Sequence, residues 1–106
     1  MFKAFKAIEV FVRKACDLDD RVIGKELMMK AFNPENGLLT DPDEVPAERE
    51  SLLQLFMGAI GRFKNPANHR EVNIANPAEA VEMLQLAGLL MRLASARGTS
   101  RRGRES

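Results

Sequence analysis

The segment GRFKNPANHR, residues 61–70, gathers the chain's only histidine with three cations and two asparagines. Histidine titrates near neutral pH, so His69 is the side chain able to take up and return protons there. Arg62, Lys64 and Arg70 suit an anionic substrate, and a guanidinium or ammonium group can stabilise the charge that develops on a reacting phosphate. Asn65 and Asn68 add amide groups that orient a neighbour or touch a phosphate. A base for a ribose 2′-hydroxyl, an acid for the leaving oxygen and positive charge at the phosphorus are what metal-independent RNA cleavage requires. The same residues also have a plain structural reading. A histidine near a helix end hydrogen-bonds carbonyls, and Lys or Arg there complement the helix dipole.

Other chemistries find little footing. One His and one Cys provide no zinc pairing, and Asp41 and Asp43 sit in a turn-like context. Neither a Ser/His/Asp signature nor a Gly-rich phosphate loop ahead of a helix is present. No metal and no cofactor is expected. The lone Cys16 cannot form an internal disulfide, which points to a reducing cytoplasm and an inert buried thiol. At 106 residues the chain is one domain, large enough to bury a core without staples. No apolar run approaches the roughly 20 residues of a membrane span. The net charge of +1 hides an asymmetry. Residues 97–106 hold four Arg against one Glu, whereas the body holds twelve basic against fourteen acidic residues. The body is therefore no general polyanion binder, and residues 96–106 are expected as a disordered basic tail behind a helical domain at 1–95.

Four helices have to position the reactive segment, and no strand pattern competes with them. The first is expected from Phe2 to Ala15, with Phe2, Phe5, Ile8, Val12 and Ala15 inward. The second is expected from about Asp20 to Phe32, capped by Asp19 or Asp20, with Ile23, Leu27, Met28, Ala31 and Phe32 inward. An irregular insert follows, in which Asn36-Gly37 is compatible with a short hairpin. Pro46 opens the third helix, whose inward face reads Leu52, Leu55, Phe56, Ala59, Ile60 and Phe63. Gly58 and Gly61 within it suggest close approach of a neighbouring helix. Pro66 ends it. Asn76, Pro77 and Glu79 then cap a fourth helix, Ala78 to about Ala94, which is apolar nearly all round. Only Glu82, Gln85 and Arg92 interrupt it, on one narrow stripe. Such a helix is either central or half of a homodimer interface.

FKAIEVFVRKA, GKELMMKAF, LLQLFMGAIGRFKNPANHR and AEAVEMLQLAGLLMRL together resemble the HEPN superfamily of helical domains. More narrowly, the chain is similar to the C-terminal domain of the Ymh-type family of bacterial conserved hypothetical proteins, over most of residues 2–93. The resemblance implies a small all-α HEPN-like bundle that pairs through its helices. In active members it implies a metal-independent endoribonuclease of toxin–antitoxin or antiphage systems. That family's motif is an Arg, often followed by a polar residue, and then a His after four to six intervening positions. Two alignments stay open. Arg62 and His69 have the spacing, but Phe63 stands where a polar residue is usual. Lys64, Asn65 and His69 match the shorter spacing, with Lys in place of Arg and without its planar fork. Carried over this way, His69, Arg62, Asn65 and Lys64 are the catalytic candidates, with Arg70 and Asn68 on the phosphate. The family's usual helix ahead of Phe2–Ala15 has no counterpart here, so part of the Phe2, Phe5 and Phe11 surface is expected to be uncovered and to favour association.

Three functions compete: an RNA-cleaving dimer, a non-catalytic module binding RNA, nucleotide or protein, and a structural dimerisation domain. The expected partners are RNA, a second copy, and an antitoxin or other defence-system protein, with no membrane.

Overall fold

A computed structural model of the chain describes residues 3–64 and 77–105, with side chains over 3–63 and 77–99. The described residues form an all-α bundle: α1 (Lys3–Ala15), α2 (Gly24–Phe32), α3 (Pro46–Ala59) continued by a π-helical turn (Ile60–Lys64), and α4 (Pro77–Glu105). Phe2, the Pro66 helix stop and the Asn76 cap lie outside the described residues.

Helix α1 buries Phe5, Ile8 and Val12 as its periodicity demands. It also buries Glu9, at 1% exposure, on a face expected to be apolar. Asp17 closes the helix in a left-handed conformation (φ 54°). The Leu18 N–H reaches the Arg13 carbonyl and the Asp17 N–H the Lys14 carbonyl, both at 3.1 Å, which is a Schellman ending.

The expected start of α2 at Asp20 is not where the helix begins. The Asp19 carboxylate turns back on the Arg21 backbone N–H (2.8 Å) and guanidinium (3.1 Å). These bonds, the side-chain one foremost, hold its carboxyl below the usual range. The helix opens four residues later at Gly24, whose φ of +61° no side chain adopts easily. Ile23 offers no side-chain cap and is 52% exposed rather than inward. The Gly24 N–H is taken instead by Glu9 of α1, Oε2 at 2.8 Å. Leu27, Met28, Ala31 and Phe32 are buried as expected.

The insert after α2 is not a hairpin. Its N–H groups fold back on the end of α2, Leu38 onto the Lys30 carbonyl (3.3 Å) and Leu39 onto Ala31 (2.7 Å). Leu39 thereby enters the core fully buried. Gly37 leaves room for Thr40 and for the Ala31 and Asn33 backbone, where a Cβ would collide.

Pro46 opens α3 as expected, but its inward face is Leu53, Phe56 and Ala59. Leu52 is half-buried and Leu55 is 41% exposed. Phe56 stacks on Phe32, ring centroids 4.2 Å apart, which joins α3 to α2. Among the described residues nothing lies within 4 Å of a Cβ at Gly58, so no described helix approaches it; Gly61 does receive a neighbour, the Lys25 side chain of α2.

Helix α4 packs chiefly on α1, and α2 on α3. Met83, Ala87, Leu90 and Ala94 form its buried stripe, while Val81, Leu84 and Leu89 are exposed, so α4 is not a central helix. It continues to Glu105, through the stretch expected to be disordered. Arg97 secures the extension, reaching Asp41 at 3.2 Å and Glu44 at 2.9 Å. Buried Gly98 lies against Phe11 and Ala15 of α1. Phe5 is fully buried, against expectation, whereas Phe11 is only half-buried and keeps part of its surface uncovered, as expected.

Candidate functional site

The reactive segment begins where α3 changes from α- to π-helical geometry. π-Turns are rare and recur at functional sites, because their poorer hydrogen bonding persists only where something compensates for it. Here the compensation is packing. Ile60 is fully buried, and Phe63 stacks on Phe5 of α1 with centroids 5.3 Å apart and planes at 28°. With those two turned inward, Arg62 is left exposed between them in sequence. Its guanidinium carbon lies 5.8 Å from the centre of the Phe63 ring, a contact that steadies a long side chain without neutralising it.

Of the residues singled out from the sequence, Arg62 is thus on the surface, fixed at its base by buried neighbours. Lys64 closes the π-turn. Asn65, Asn68, His69 and Arg70 lie outside the described residues. The polar position expected after the Arg is occupied by Phe63, which belongs to the core. Lys25 was not visible as a neighbour from spacing alone. Its side chain crosses Gly61, with Cε 2.5 Å and Nζ 3.5 Å from where a Cβ would lie. Neither Lys25 nor Arg62 has an ion pair among the described residues, so two free cations share this corner.

Two grooves flank α4. One, about 730 Å³, has Ala7, Val10, Phe11 and Met91 as its floor and Lys3, Lys6 and Lys14 at its rim. The other, about 410 Å³, runs between α3 and α4 past Leu52, Leu55 and Leu93, with Glu44, Glu48 and Arg97 beside it. Cys16 is buried, at 3% exposure. No group of three His, Cys, Asp or Glu stands together among the described residues, and no described helix is long and apolar enough to cross a membrane.

A family model described as "Protein of unknown function (Hypoth_ymh)" matches residues 1–93. No curated protein and no solved structure matches the chain.

Proposed function

The chain belongs to the Ymh family of proteins of unknown function, and on that premise we propose that it is a metal-independent endoribonuclease of the HEPN type, working as a dimer. The observation that carries this reading is the exposed, uncompensated Arg62 on a π-turn directly ahead of the segment that holds Lys64, Asn65 and His69. In the proposed reaction a His69 imidazole takes the proton of a 2′-hydroxyl and the 2′-oxygen attacks the adjacent phosphorus. The 5′-oxygen leaves with a proton supplied by a second group, the partner protomer's imidazole being the natural donor. The products are a 2′,3′-cyclic phosphate and a 5′-hydroxyl. Arg62 or Lys64 stabilises the charge on the phosphorane, Asn65 orients His69 or the phosphate, and Arg70 and Asn68 hold the flanking strand. Toxin and antiphage systems are the setting such an activity fits, with an antitoxin as the partner that restrains it.

A second reading has its own support. Phe63 is committed to Phe5 rather than to a ligand, which favours a module that binds RNA without turning it over. One experiment separates the two. RNA is incubated in excess EDTA with wild-type protein and with His69→Ala. Cyclic-phosphate ends that vanish in the variant establish the nuclease. Undiminished RNA binding by both proteins without cleavage selects the binding module.

A further inference from the structure

We infer that Lys25, on the first turn of α2, is a phosphate-binding residue of the Arg62 site, so that an RNA strand is held across the junction of α2 and the π-turn. This rests on the RNA reading proposed above and adds a contact that the reactive segment itself does not contain.

Three observations carry it. The Lys25 Nζ lies 3.5 Å from the position a Gly61 Cβ would take. That bounds the ammonium to within about 9 Å of the Arg62 Cα, given the 3.8 Å spacing of consecutive Cα atoms. Both side chains are exposed, and neither has an acidic partner among the described residues. Glu26, beside Lys25 in sequence, makes no ion pair with it. Finally, Lys25 occupies the second position of α2, where the helix dipole favours an acid and opposes a cation. A lysine that its own helix disfavours, laid across a residue without a side chain and beside an unpaired arginine, is an arrangement completed by an anion. A phosphodiester is the anion that two such cations can share or hold in succession.

The test uses a single-stranded RNA with 2′-O-methyl riboses, which binds but cannot form a cyclic phosphate. Its affinity is measured by fluorescence anisotropy over a range of salt concentrations. Lys25→Gln is compared with wild type, with Lys25→Arg, and with Lys30→Gln, an exposed lysine roughly 140° further round α2. Circular dichroism confirms that each variant is folded. The expected result is weaker binding by Lys25→Gln, with a log–log salt slope shallower by about 0.7, the share of one phosphate contact on a single strand. Lys25→Arg restores the slope and Lys30→Gln leaves it unchanged. Equal slopes and affinities for Lys25→Gln and wild type overturn the inference while leaving the RNA reading intact. Absence of wild-type binding at every salt concentration overturns both. Binding that depends on Lys25 in a protein that cleaves nothing upholds the inference and removes only the nuclease.

Discussion

Glu9 shows how one side chain can decide where a helix starts. Its position on α1, beside Ile8 and Val12, would ordinarily carry an apolar residue. A buried carboxylate is tolerated only if its oxygens are satisfied. Oε2 accepts the Gly24 N–H at 2.8 Å, and Oε1 lies 3.7 Å from the Arg13 guanidinium. Arg13 in turn donates to the Val22 carbonyl at 3.3 Å. The carboxylate therefore does for α2 what an N-cap serine does locally, from a different helix. Glu9→Ala should lower stability by roughly 1.5–3 kcal/mol, the range for a hydrogen bond to a charged group. Glu9→Gln keeps an oxygen for Gly24 and should lose less. Urea midpoints check the order, and equal midpoints for Glu9→Ala and wild type would show that the cap contributes nothing.

Among the elements, α3 and its π-turn separate two glycines that look alike in sequence. Both interrupt a helix former's pattern, and both invite the same explanation. Gly61 leaves space that the Lys25 side chain fills, whereas nothing among the described residues lies within 4 Å of the Cβ position at Gly58. Glycine inside a helix carries an entropic penalty that only close packing would justify. Gly58→Ala should accordingly stabilise the protein by about 0.5–1 kcal/mol, read as a higher thermal midpoint. A lowered midpoint would mean that something packs on Gly58. The π-turn explains why a simple 3.6-residue face ends near Ile60. Packing of Phe63 on Phe5 selects the wider turn, and propensity has no term for that.

At the scale of the whole molecule, α4 dominates the shape. Its 29 residues span about 43 Å, close to the 45 Å long axis of the bundle. Only one stripe of it meets α1. Val81, Leu84 and Leu89 stay exposed at 52%, 55% and 41%, an amount of apolar surface that self-association through α4 would cover. The proposed dimer makes a definite prediction at Leu84. Its side chain is outside the protomer core, so Leu84→Glu should fold normally. It should nevertheless sediment as a monomer where wild type is a dimer, and lose the cleavage that needs two protomers. A wild-type protein that is monomeric at tens of micromolar would end that account.

The amino-acid pattern alone determined the helical class, the inward placement of Phe5, Ile8 and Val12 on α1 and of Leu27, Met28, Ala31 and Phe32 on α2, and the Pro46 start of α3. All of these follow from a 3.6-residue period and from caps acting within a few positions, so a local reading suffices. For the candidate site it singled out residues 61–70, with Arg62 and Lys64 as alternative cations; of these the structure describes the π-turn that carries both. The tertiary structure decided what depends on residues distant in the chain. Glu9 sets the start of α2 from 15 positions away. Arg97 reaches across 56 positions to Asp41, which draws a glycine- and serine-rich tail into α4. The core entry of Leu39 follows from backbone bonds returned to α2, and Lys25 meets the π-turn because α2 packs there. Each is a contact whose energy arises only once separate helices are brought together, and no periodicity within either partner encodes it.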